Sequence, residues 1–186
     1  MDKRHALSKV TVGLHWLVAI VIISMLTLGA YMSLLEAYGV YDIHKSIGVL
    51  VFPLLLARVL WRLIQGWPEP LSRYSAIEHL LAKITHWGLL IGLIALPMTG
   101  MLYSGASGHG FGIFGLTIVP ANDHPTEVGQ VLPYHESLSI IGETAHEWLG
   151  YGLMVLLMLH IAGALKHHLI DGDGTLKRML GQRVDR

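Results

Sequence analysis

The residue types able to do chemistry here are histidines. The chain has 186 residues, twelve of them His and none Cys. Without cysteine there are no disulfides, iron–sulfur clusters or thiolate metal sites, so imidazole is the strongest ligand on offer. Five histidines, His15, His44, His86, His146 and His160, fall in long apolar runs. Ionisable groups in such runs usually face a bundle interior and mark function. His146 and His160 stand fourteen positions apart, which places them on one helical face about 21 Å apart along the axis. Helices that cross alternately put His15 at the depth of His160 and His44 at the depth of His146. Two opposed imidazole pairs at two depths are what bis-imidazole ligation of two haem irons requires. Gly48 and Gly150 follow their histidines by four positions and Gly163 follows by three. Each offers a side-chain-free face for a flat ring, although glycines also serve simply to pack membrane helices closely. A proton relay or a divalent-metal carrier would use the same histidines. The carrier would also call for carboxylates at membrane depth, and none of the runs has a central Asp or Glu.

The elements that must position these residues are legible in the composition. The chain is 53% apolar and 14% charged, with a mean hydropathy of +0.53, against roughly 45–50% and about 25% for soluble domains. Four apolar runs, near 10–35, 43–64, 80–103 and 145–169, are each long enough to cross about 30 Å of hydrocarbon as a helix. The expectation is an all-α fold: a single-domain integral membrane antiparallel four-helix bundle over residues 1–186. Pro53 and Pro97 predict kinks in the second and third helices. The basic start with Lys3, Arg4 and Lys9 resembles a secretion signal, but the run is too long and carries His15 and Trp16, so it reads as a retained helix. An inward N-terminus puts twelve of the thirteen Lys and Arg residues on the inner side, with Lys45 alone outside, a positive-inside pattern that makes both termini cytoplasmic. A pI near 7.2 gives no basic field for nucleic acid.

The outer segment 104–144 is long and rich in glycine, and it predicts a surface-packed loop with a short helix near 136–141. Loop histidines His109, His124 and His135 are spaced like no ligand motif and read as solvated. Arg58 and Arg62, one turn apart near the inner end of the second helix, suit haem propionates and equally suit anchoring at the membrane surface.

Gly13-Leu14-His15-Trp16, Ile43-His44-Lys45-Ser46-Ile47-Gly48, His146, Leu159-His160, Lys166-His167-His168 and Phe114-Gly115-Leu116-Thr117 together resemble the bacterial di-haem cytochrome b561 family. Its superfamily includes the b-type subunits of nickel hydrogenases. The resemblance covers essentially the whole chain. It implies an inner-membrane protein with two b haems, axial ligands at His15, His44, His146 and His160, and electron exchange with ubiquinone. Some members of the family oxidise superoxide. The resemblance also implies that His86 is not a ligand and that His167 faces the quinone. His167 lies two turns, about 10 Å, beyond His160, where an imidazole that titrates near neutrality can bond a quinone carbonyl and pass a proton. Arg73, in the link between the second and third helices, could neutralise charge on a reduced headgroup. An outer donor, either superoxide or a redox partner, would supply electrons at the His44/His146 pair. A haem subunit docking a partner enzyme, or a non-redox haem-binding membrane protein, is the alternative.

Overall fold

Ser8 opens the first helix by accepting a hydrogen bond from the Thr11 N–H, a standard N-cap. In the computed structural model, which describes residues 6–71 and 74–184, helix α1 then runs over Lys9–Leu35. Glu36, in the left-handed region, ends it, and one turn of 3₁₀ helix, Tyr38–Val40, leads into α2, Tyr41–Gln65. The third helix, α3, covers Ala76–Ala106 and starts with a capping box: Ser75 accepts from the Glu78 N–H while the Glu78 carboxylate accepts from the Ser75 N–H. A hairpin of β1, Phe111–Ile113, and antiparallel β2, Leu116–Val119, follows. Then come α4, Glu136–Leu169, and the short α5, Thr175–Met179.

Among the described residues four helices, α1 to α4, are long and apolar enough to cross a membrane. Their shared interior is built from Val18, Ile22, Leu26, Leu55, Leu90, Leu93 and Leu153. Much of the remaining apolar surface, including Ile20, Ile91 and Met158, is exposed, as expected of helices whose outer solvent is lipid. Glycines set the approach of α3 to α4. A Cβ on Gly88 would strike the Leu156 side chain, and one on Gly142 would lie 2.7 Å from the Tyr103 backbone nitrogen. Small residues let membrane helices pack backbone to backbone in this way.

Three boundaries differ from the sequence expectation. The fourth helix starts at Glu136, so the expected short helix at 136–141 is its first two turns rather than a separate element. The loop between α3 and α4 contracts to residues 107–135 and holds a hairpin. The third helix starts at its cap, four residues before the apolar run. Pro53 and Pro97 both lie inside continuous helices.

At the end of the bundle that holds both termini, several side-chain bonds bind the elements together. Trp61 Nε1–H donates to Thr11 Oγ1 at 2.9 Å, joining α2 to α1. Trp16 Nε1–H donates to the Met179 carbonyl at 2.8 Å, and Arg178 donates to the Glu69 carbonyl at 3.0 Å. These bonds fold α5 beneath α1 and the link between α2 and α3.

Candidate metal centres

The fold brings the four histidines together in two pairs. The ring centroids of His15 and His160 are 6.1 Å apart, with an interplanar angle of 59°. Those of His44 and His146 are 6.2 Å apart at 86°. A metal–imidazole bond is about 2 Å long and the ring centre lies about 1 Å behind the nitrogen, so two imidazoles trans on one metal have centroids about 6 Å apart. Both pairs meet that spacing.

The hydrogen bonding around the pairs is clearest at His146. Its Nδ1 lies 2.9 Å from the Leu96 carbonyl. A carbonyl only accepts, so Nδ1 carries the proton and Nε2 keeps its lone pair, the arrangement typical of metal-ligating histidine. Thr99 Oγ1 stands 3.4 Å from the same nitrogen. Gly100 makes room for the ring: a Cβ there would lie 2.8 Å from His146 Cε1 and 3.0 Å from Nδ1. Across the gap, His44 touches the Gly29 face. Its buried Nδ1 has no hydrogen-bond partner among the described residues, so its polar capacity is not spent on the protein. These donors, all imidazole nitrogens, suit haem iron. Among the described residues no group of three or more His, Asp or Glu is arranged to hold a bare metal ion.

At the His15/His160 end, the Arg58 guanidinium stands 3.4 Å from His15 Nδ1. Arg62 donates to the Gly66 carbonyl at 2.8 Å and lies over the Trp67 ring. Both arginines are buried. Arg58 thus faces the histidine pair, and Arg62 packs against the link that follows α2. His86 is not remote from the pair, since its ring centroid is 5.4 Å from that of His160 and 5.3 Å from that of Trp67.

One helical stretch further along, His167 Nδ1 lies 2.7 Å from Asp171 Oδ2, and the Tyr74 ring is 4.4 Å from the imidazole. Tyr74 O–H donates to Asp173 Oδ2 at 2.7 Å. The hydrogen bond from Lys166 to Asp171, helped by that from His167, holds the Asp171 carboxyl below its usual range. Arg73 lies outside the described residues.

Of the glycines singled out in the sequence, Gly48 faces Met25, Gly150 faces Leu96, and Gly163 meets nothing within 4 Å. The glycines that receive imidazole rings are Gly29 and Gly100. Gly88, Gly92 and Gly100 recur at multiples of four along α3, and that stripe was the available signal. The loop histidines shape their own surroundings. His135 caps α4 by accepting from the Leu138 N–H, and His124 accepts from the Glu127 N–H. His109 Nδ1 is 3.0 Å from Ser107 Oγ.

A four-helix membrane bundle with imidazoles opposed at two levels defines a class, the integral membrane b-type cytochromes. Comparison with known proteins gives the family within that class. Residues 6–182 match the family described as Prokaryotic cytochrome b561, and the chain belongs to it. It is 39% identical over 178 residues to "Cytochrome b561 homolog 2" of Escherichia coli (strain K12), covering 93% of this chain and 90% of that protein. It is 27% identical over 187 residues to "Probable superoxide oxidase CybB" of Yersinia pestis, covering 98% and 99%. It is also 27% identical over 181 residues to "Cytochrome b561 homolog 1" of Escherichia coli (strain K12), covering 95% and 97%. The protein is thus a bacterial membrane cytochrome that binds haem b and serves electron transfer.

Proposed function

We propose that the chain is a two-haem relay, with His15 and His160 holding one iron and His44 and His146 the other. It carries electrons between an outer donor and ubiquinone across the inner membrane, with both termini cytoplasmic. The single observation that carries this reading is the pair of centroid spacings, 6.1 and 6.2 Å, at positions about 21 Å apart along α4. When bound, haem supplies reversible one-electron storage at each level.

The chain's own residues do the rest. The Leu96 carbonyl fixes the tautomer of His146 and the Gly100 face fixes its place. The buried guanidinium of Arg58 sets positive potential beside His15. At the inner end, the doubly protonated His167 donates Nδ1–H to Asp171 and can pass its Nε2 proton to a quinone carbonyl, being left as the Nδ1–H imidazole. Arg73, in the neighbouring link, supplies positive charge to the reduced headgroup.

The identity of the donor admits a second reading because of surface charge. At the His44/His146 end, Glu36, Asp42, Asp123, Glu127, Glu136, Glu143 and Glu147 are all exposed, and the only Lys or Arg there among the described residues, Lys45, is paired with Asp42 at 2.9 Å. Such a field repels superoxide, an anion, and attracts a basic redox protein. The relative's name supports superoxide; the charge of this face favours a docked cationic partner.

The test uses the full chain in lipid vesicles containing ubiquinone. Ubiquinol should reduce both haems reversibly, and failure to reduce either one removes the relay. Salt dependence then separates the donors. A cationic protein's rate falls as ionic strength rises, whereas oxidation of superoxide against a like-signed field speeds up.

A further inference from the structure

The β1–β2 hairpin contributes none of the four paired histidines. Its turn residues, Phe114 and Gly115, have φ of 44° and 92°, the paired left-handed conformation of a type I′ turn. Asn, Asp or Gly is the ordinary choice at the first of these positions, and a phenylalanine there is costly. The turn also displays its apolar groups: Phe114 is 63% exposed, Leu116 67% and Ile118 50%. Leu116 and Ile118 share one face of β2, since strand side chains alternate.

Hydrogen bonding fixes the depth of the turn. The Phe114 N–H donates to Ser46 Oγ at 3.1 Å, and Lys45 Nζ reaches the Gly110 carbonyl at 3.4 Å. Ser46 is five residues into α2, about 7.5 Å along the axis from Tyr41. The 25 residues of α2 span about 37 Å, which exceeds about 30 Å of hydrocarbon by roughly one turn. Shared between the two ends, that excess puts the hydrocarbon boundary short of Ser46. The surroundings agree. Ile43, Ser46 and Leu50 lie within about 60° of one another on α2. Ile43 and Leu50 are exposed, while Ser46 is buried. The turn therefore rests on a helix face whose neighbours above and below look outward to lipid. Ile43 also lines, with Phe114 and Leu116, a cavity of about 370 Å³ that carries Lys45 and Asp42.

We propose that the Phe114–Ile118 edge of the hairpin is seated in the acyl–headgroup boundary of the leaflet at the His44/His146 end, its occupant being membrane lipid. Phe114, Leu116 and Ile118 continue the lipid-facing surface of α2, and the Lys45–Asp42 pair stays at headgroup level. The hairpin then closes the lipid side of this end of the bundle, and a water-borne electron donor must approach over the start of α4 and segment 120–135.

The absence of cysteine makes the test direct. Single variants Phe114→Cys, Leu116→Cys, Ile118→Cys and Val128→Cys are spin-labelled in the full haem-loaded chain, in vesicles of phosphatidylcholine and phosphatidylglycerol. Collision with oxygen, which concentrates in lipid, is compared with collision with a water-soluble nickel chelate. Val128, 105% exposed in the polar loop, is the aqueous reference. The oxygen-to-nickel ratio at 116 and 118 should exceed that at 128 several-fold, and position 114 should follow. Variants at 116 and 118 leave the turn residues untouched, so they decide the matter where the label disturbs position 114. Ratios equal to that at 128 overturn the proposal by placing the hairpin in water. Labels shielded from both reagents also overturn it, because a second copy or another protein then covers the edge.

Discussion

Replacing Arg58 by Leu removes a buried positive charge next to one histidine pair and not the other. Its Nη2 is 3.4 Å from His15 Nδ1. A metal held between His15 and His160 lies about 7 Å from the charge, and two unit charges at that distance interact by about 2 kcal/mol at an effective dielectric of about 20. For a one-electron couple, a tenfold change in equilibrium is about 59 mV, so the full effect is about 100 mV, and partial screening brings it towards 50 mV. The sign is fixed: loss of a cation disfavours adding an electron, so the potential falls. If Arg58 instead pairs with a haem carboxylate, the substitution uncovers a negative charge and the sign is the same. The assay is a potentiometric titration of the full chain, followed in the visible α band. One of two midpoint potentials should fall by about 50–100 mV and the other by much less. Arg58→Lys should restore most of the loss. Unchanged potentials, a rise, or equal shifts at both centres would refute the reasoning.

Further substitutions test neighbouring parts of the account. Gly100→Ala pushes a methyl into the His146 ring; the expected outcome is a destabilisation of about 1–3 kcal/mol, with weakened retention of one haem, read by thermal melts and haem content. His86→Leu should leave haem content at the parent level, because His86 belongs to neither pair. It should nevertheless shift one haem's potential, since its ring packs on His160. Asp171→Asn removes a carboxylate held below its usual pKa by Lys166 and His167. Stabilisation by such a group is present above the unfolded pKa of about 4 and is lost as pH falls through the lower folded value. Parent and variant melting temperatures should therefore differ at neutral pH and converge in strong acid.

Much of this architecture was legible in the sequence, and its limits have physical causes. Hydropathy finds where a helix meets lipid, not where it ends. Residues 136–144 carry Glu136, Ser137, Ser139, Glu143 and Thr144 ahead of the apolar run, so they read as a separate short helix in the outer loop and not as the start of α4, and the Ser75 capping box likewise lies in a polar stretch. The hairpin escaped notice because Phe114-Gly115 lacks the Asn-Gly or Asp-Gly signature of its turn. The histidine pairing followed from helix periodicity and alternating direction alone. The glycines against the rings did not follow: the Gly88, Gly92 and Gly100 stripe marks a small-residue face of α3, but not that His146 of α4 is what meets it at Gly100. Arg58 and Arg62 sit where surface cations are expected, and only their contacts with His15, Gly66 and Trp67 reveal them as interior.

The central claim is that the four histidines form two separate ligand pairs, and haem stoichiometry tests it most directly. A pyridine haemochrome assay with low-temperature electron paramagnetic resonance on the purified chain should give two low-spin haems per polypeptide. His146→Leu and His160→Leu should each retain one, and the retained signals should differ between the two variants. One haem in the parent, two haems surviving in His146→Leu, or the same haem lost from both variants would contradict the account.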